Sequence, residues 1–342
     1  MTYLLEDPCM EYSERQPREI LIFALLIAIL LILTLLYQSR HMILGVETSI
    51  NEESETYVSI LTSDKISDQS WGSFAYRGQM KIEEHYPVHT SLHSELTSEA
   101  SITETAIDVI DEGAELLIGH GREFSDSFTN LAEEYSSVMF VTIHGESTHE
   151  NQAVYTFDHS AMEFFAALAA SLKSDTEKIG VIEPISDDGY AEFFKGINYY
   201  NSQATIYRKT AQSRDDGSEA AHMAKEMIEQ GVDVIYTKGN AYNQNVIEHA
   251  KKEDIYVIGF MDDQSYMASE HVLTSVVNDI PQLYVMILKD YFSEDGISSG
   301  KHVLTESDEV YLLAPLGPMF TEEEKEFIES EMEKYRLGEL SF

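Results

Sequence analysis

Short runs of β-branched and aliphatic residues recur along the chain between longer stretches whose apolar positions return every three or four residues. The strand-like runs are YVSIL (57–61), ELLIG (115–119), VMFVTI (138–143), KIGVI (178–182), ATIYR (204–208), VDVIY (232–236), IYVIGF (255–260) and VLTSVV (272–277). Amphipathic segments at 122–135, 159–173, 187–200, 214–230 and 242–252 fall between most of them. A parallel crossover needs about a helix's length of chain, so this alternation predicts an α/β fold of parallel sheets covered by helices. One open sheet of eight strands is an alternative. The polar, acidic stretch His144–Gln152 falls midway, however, and reads as a crossing between two sheets. Two lobes therefore fit better: lobe 1 at about 56–147 plus 280–305, lobe 2 at about 153–278, and a C-terminal tail at 306–342. In such folds ligands sit beyond the carboxyl ends of the strands. The loops expected to line a cleft are Thr62–Trp71, Gly119–Phe124, His144–Thr148, Glu183–Tyr190, Thr237–Tyr242 and Met261–Tyr266.

Ahead of this pattern, Ile20–Leu36 is a run of seventeen residues with Thr34 its only polar member, followed by the interfacial ring of Tyr37. Its length approaches the thickness of a bilayer's hydrocarbon layer, which predicts a transmembrane anchor at 20–37. The run continues YQSRHM with no small-x-small cleavage site, so the anchor is expected to stay attached. Cys9 lies ahead of the run and so cannot carry a lipid placed after it. Arg15 and Arg18 precede the span and Arg40 follows it, which puts residues 1–19 in the cytoplasm and the rest outside the cell. Residues 38–55, with NEESE and few apolar positions, read as a polar stalk beneath a ligand-binding module at 56–342.

Charge narrows the function classes. The chain has 61 acidic against 22 Lys and Arg residues, a net charge of −39, and residues 38–342 carry 56 against 20, a balance of −36. Such a field repels a phosphate backbone and argues against direct nucleic-acid binding. A single cysteine excludes intramolecular disulfides and thiolate metal sites. His85, His89 and His93 recur every four residues, yet Pro87 interrupts any helix that would align them as ligands. No GxxxxGK[ST], GxSxG or HExxH pattern occurs, and no cofactor or enzymatic turnover is expected.

The loop after the first strand reads TSDKISDQSWGSFAYRG and gathers Asp64, Asp68, Ser70 and Trp71 where a helix begins. Carboxylates accept paired hydrogen bonds from hydroxyl groups, and an aromatic face holds a flat ring by dispersion. The same residues also suit a plain structural role, with Trp71 in the core and Asp68 capping the helix. In this loop the chain resembles the Bmp family of substrate-binding proteins, whose better-known members bind purine nucleosides for an ABC importer and whose first loop commonly reads DDxSFN. The matching stretch is Ser67-Asp68-Gln69-Ser70-Trp71-Gly72. IGHGREF (118–124), GVDVIY (231–236) and VIGFMDDQS with VLTSVV (257–277) follow in the family's order, and the likeness is closest to its Med-like subgroup.

The resemblance implies a two-lobed type I periplasmic-binding-protein fold, a nucleoside-like ligand and an ABC permease as partner. It also implies a binding set. Trp71 would replace the family's stacking Phe, with Asp68 beside it. Gly119, His120, Gly121 and Phe124 would form the loop after the third strand, and Asp263 with Gln264 would match the later DQ pair. Tyr242 would be either a second aromatic wall or a surface ring at a helix start. Gly72, Met261 and Asn278 stand where the family has Asn, Asp and often Lys, so recognition of ribose is not carried over. The alternative reading is a membrane-bound regulator of competence, acting indirectly, with the same fold and no transport role.

Overall fold

The computed structural model describes residues 56–68, 70–158, 160–184, 191–213, 216–239 and 241–340. The expected cytoplasmic tail, anchor and stalk lie outside these residues, as does most of the loop Glu183–Tyr190. Among the described residues no helix is long and apolar enough to cross a membrane.

Six strands form a first sheet: β1 (Thr56–Leu61), β2 (Val88–His93), β3 (Leu116–Gly119), β4 (Met139–Ile143), β5 (Gln152–Phe157) and β11 (Gly300–Leu304). They lie in the order β11-β5-β4-β3-β1-β2, and every neighbouring pair is parallel. The second sheet holds β6 (Lys178–Pro184), β7 (Thr205–Ala211), β8 (Val234–Thr237), β9 (Tyr256–Met261), β10 (Val272–Asn278) and β12 (Tyr311–Leu313). Its order is β12-β10-β9-β8-β6-β7, parallel except for β12 against β10. The innermost strands are continuous apolar runs because helices cover both faces: every side chain of LLIG in β3 and of VIYT in β8 is buried.

The covering helices are α1 (Trp71–His85), α2 (Glu99–Asp111), α3 (Ser125–Ala132), α4 (Ser160–Lys173), α5 (Ala191–Tyr200), α6 (Gly217–Glu229), α7 (Asn243–Lys252), α8 (Ile280–Tyr291) and α9 (Glu322–Arg336). Every side chain of α4 from Ala161 to Ala170 is buried, Glu163 being the one charged group among nine apolar residues. It packs among α5, α9 and strands β9, β10 and β12.

The chain passes between the sheets three times: after β5, after β10 and between β11 and β12. The passages are tied together, the Asp158 N–H donating to the Leu304 carbonyl at 2.8 Å and the Asp279 N–H to the Val310 carbonyl at 2.7 Å. Asp279 also caps α8, its carboxylate accepting from the Gln282 N–H at 2.9 Å, with a proline in the first turn. This corrects the expected boundaries. His144–Gln152 is not a crossing: β5 pairs with β4, so the first half runs to Phe157 instead of ending near 147. The polar stretch is a turn within one sheet, closed by Gln152, whose side-chain oxygen accepts from the Thr148 N–H at 3.0 Å. Nor is 306–342 only a tail, since it supplies β12 to the second sheet as well as α9.

Candidate functional site

The carboxyl ends of β1 and β3 present the first-half loops. Asp68 holds the start of α1 by accepting from three backbone N–H groups, those of Ser70 at 2.8 Å, Gly72 at 2.8 Å and Ser73 at 2.9 Å. One carboxylate thus satisfies most of the unpaired donors of a helix's first turn and sets its negative charge at the positive end of the helix. Gly72 is required: a Cβ there would lie 2.3 Å from the Lys65 carbonyl oxygen. The space that the family's Asn would use is filled by the loop's own backbone.

Trp71 points into the first half. It is 8% exposed and belongs to the hydrophobic core. Its indole N–H donates to the His120 carbonyl at 2.9 Å, and His120 returns a bond from Nε2 to the Trp71 carbonyl at 2.7 Å. A carbonyl can only accept, so Nε2 carries the proton and Nδ1 accepts from the Tyr284 hydroxyl at 2.7 Å on α8. Burial drives the His120 pKa down to about 3, a fall aided by His144 and only partly opposed by the bond to Trp71, and keeps the ring neutral. The indole packs against His120, tilted by 35° with ring centroids 4.4 Å apart, and the His144 ring lies nearly parallel to it at 6.4 Å.

Trp71, expected to wall a cleft, is instead held in the first half by its indole N–H and its packing against His120. The loop around it is equally committed. His120 is fully buried, a Cβ on Gly119 would meet the Phe124 side chain at 2.5 Å, and Phe124 is itself buried against Phe128. Gly121 turns the chain between them. Asp64 accepts from Ser63 Oγ at 3.3 Å, and its carbonyl accepts from the Glu95 N–H at 3.3 Å, which ties the loop to the segment after β2. In the second half Tyr242 is also not a wall. It is fully buried, donating its hydroxyl to the Ile182 carbonyl at 3.2 Å.

A cavity of about 250 Å³ opens between the carboxyl ends of the two sheets. The first half contributes Asp68, Ser70 and Phe74, the last lying one turn beyond Trp71 on α1. From the second half come Ala241 and Gln244 around the start of α7, and Phe260 and Met261 at the end of β9. Asp262, Gln264, Tyr266 and Met267 follow in the next loop. Asp68, Ser70 and Gln264 are thus the sequence-predicted residues that meet at the cavity. Gln264 also braces it, its side-chain oxygen accepting from the Phe260 N–H at 3.2 Å and its own N–H donating to Ser275 Oγ at 3.1 Å. Asp263 stands aside, accepting from the Ser265 N–H at 3.0 Å, while its neighbour Asp262 lines the cavity. Phe74, Met261, Asp262 and Tyr266 were not singled out as ligand contacts. The signal for them was adjacency: Phe74 follows Trp71 by three positions on a helix, and the other three flank the DQ pair.

Two ion pairs frame the site. At its mouth Arg77 of α1 reaches Asp262 at 3.3 Å, joining the two halves, with its guanidinium 5.3 Å from the Phe74 ring centroid. Beneath the second half's wall, Lys238 just after β8 pairs with Glu163 of α4 at 2.7 Å, both side chains almost wholly buried. Tyr236 donates to the same carboxylate at 3.3 Å, and the Lys238 ammonium lies 5.6 Å from the Phe260 ring centroid. Among the described residues no group of three or more His, Cys, Asp or Glu is arranged to hold a metal ion. His85 ends α1, whereas His89 and His93 lie on β2.

The family model described as Bmp, ABC transporter substrate-binding protein PnrA-like, matches residues 55–341. A curated relative, the transcriptional activator protein Med of Bacillus subtilis (strain 168), is 29% identical over 285 residues, 83% of this chain and 90% of the relative. The crystal structure of a transcriptional activator of the comK gene from Bacillus halodurans superposes with a TM-score of 0.76 at 28% identity, covering 82% of this chain and 97% of that one. An ABC transporter solute-binding protein from Aeropyrum pernix K1 shares the fold alone, with a TM-score of 0.71 at 16% identity over 84% of this chain and 93% of that one.

Proposed function

The chain belongs to the Bmp family of PnrA-like ABC transporter substrate-binding proteins, and from that membership we propose that it is an extracytoplasmic receptor that captures one small molecule between its two halves. The observation that carries this reading is the cavity, since it lies where the carboxyl ends of both sheets meet and draws its lining from both. Capture closes the halves about the three chain passages, the ligand shifting the population toward the form that contacts it from both sides. The apolar run at 20–37 holds the receptor at the membrane, and an ABC permease takes up what it delivers.

A purine nucleoside held in the family's manner fits poorly. Trp71 is not available to stack, the Lys65 carbonyl occupies the space beside Gly72, and Met261 offers a thioether where ribose hydroxyls would need a carboxylate. A buried hydroxyl without a partner costs about 1–3 kcal/mol. The ligand is a different small molecule.

The two relatives described as transcriptional activators favour a second reading, in which the same capture event is signalled across the membrane and no solute is transported. The net charge of −39 makes such regulation indirect. Native mass spectrometry of the intact chain, released from detergent as purified from cells, tests the shared core of both readings. One small molecule bound per chain is the expected result. A chain that emerges bare, and stays bare after incubation with a metabolite extract, contradicts both.

A further inference from the structure

The cavity's described lining has no lysine, arginine, histidine or cysteine. It offers two carboxylates, Asp68 and Asp262, three aromatic rings, Phe74, Phe260 and Tyr266, and two thioethers. A helix start would ordinarily welcome an anion, but at α1 that place is taken by Asp68, which accepts from three backbone N–H groups. Beside Met261, the Asn278 side chain is only 5% exposed, and its carboxamide oxygen has no hydrogen-bond donor among the described residues. The acceptors here that a ligand could claim are the Asn278 oxygen and the Asp262 carboxylate, whose partner Arg77 is an exposed side chain.

The chain itself shows what such a place accepts. The guanidinium of Arg77 rests against the Asp262 carboxylate and over the Phe74 ring, a cation between a carboxylate and a π face. Resting on the receptor reading above, we propose that the ligand is a small organic cation bearing an ammonium or guanidinium group. That group binds between Asp262 and Phe74 in place of Arg77, while Phe260, Met261 and Met267 enclose its apolar part. Arg77 is the resident competitor: its side chain is 53% exposed and can swing into solvent without leaving a buried charge behind. The acidic exterior concentrates cations at the mouth, so capture weakens as salt rises.

Isothermal titration of the full-length chain in detergent tests this with agmatine and choline as cationic probes, adenosine as a neutral one and inorganic phosphate as an anionic one. Saturable binding of at least one cation is expected, with adenosine and phosphate weaker. Asp262→Asn should weaken cation binding about tenfold or more, Phe74→Leu about three- to tenfold, and Arg77→Gln should strengthen it several-fold by removing the competitor. The inference is overturned if adenosine or phosphate binds more tightly than both cations, if Asp262→Asn leaves cation affinity within about twofold, or if no probe binds. These failures leave the receptor reading standing as long as native mass spectrometry still finds a small molecule on the chain, and a neutral or anionic molecule identified there would overturn this inference alone.

Discussion

The two walls of the cavity come from the same kind of element, loops at the carboxyl ends of parallel strands, yet they are finished differently. In the first half most polar atoms are engaged by the half itself, although Asp68 and Ser70 also line the cavity. Asp68 is spent on the start of α1, and Trp71 and His120 exchange two hydrogen bonds while Tyr284 donates to the remaining His120 nitrogen. In the second half Asp262, Tyr266 and Met261 face the opening, and Tyr266 is 76% exposed. The contrast separates a wall whose polar groups are mostly held by its own backbone from a wall whose side chains stand at the opening. An aromatic residue in a binding-loop motif is therefore no guide to ligand contact until its hydrogen-bond partners are known.

The strongest way to break this contrast is to disturb the second wall from behind. Lys238→Met should leave the Glu163 carboxylate buried without its ammonium and cost about 3–5 kcal/mol of stability in urea unfolding. A loss under about 1 kcal/mol would show that water or movement of α4 relieves the pair. Next in size, Trp71→Phe keeps most of the ring but strips the donor from the buried His120 carbonyl, costing about 1–3 kcal/mol. Affinity for the ligand should be nearly unchanged, and unchanged stability with lost affinity would reverse the roles of the two walls.

Acid sharpens the comparison further, because the first wall holds its histidine neutral. His120 has a folded pKa of about 3 against an ordinary 6.5, so below about pH 6.5 the unfolded chain binds the extra proton and the folded chain does not. Its contribution is therefore complete above about pH 6.5 and falls toward pH 3, with a slope of up to about 1.4 kcal/mol per unit. Unfolding titrations from neutral to mildly acid pH should show a shallower slope for His120→Gln. The smallest effect belongs to the exposed pair at the mouth: Arg77→Gln should change stability by less than about 1 kcal/mol, so its consequences appear in binding instead.

Much of the fold was legible because the central strands are buried on both faces and read as apolar runs. β2 (VHTSLH) escaped because it is an edge strand, with most of its side chains half-buried. β5 (QAVYTF) was obscured by the polar turn before it, which mimics a passage between sheets. β12 is three residues long, too short to show a period. At the site, Asp68, Ser70 and Gln264 line the cavity as their motif positions suggested, whereas Trp71, Phe124 and Tyr242 are buried within their own halves. Sequence spacing shows that a ring sits at a helix start and does not show which way it faces. The DQ match pointed to Asp263, whereas Asp262 lines the cavity and Asp263 accepts from the Ser265 N–H.

The central claim is that the cavity between the halves takes the ligand without a contact from Trp71. The direct test measures the affinity of the intact chain for its co-purifying molecule in two variants, each checked by thermal unfolding. Ala241→Trp places a bulky ring in the cavity lining and should weaken binding about a hundredfold or more, whereas Trp71→Phe should stay within about threefold of the parent. The reverse pattern, with Ala241→Trp binding normally and Trp71→Phe failing to bind, would contradict the account.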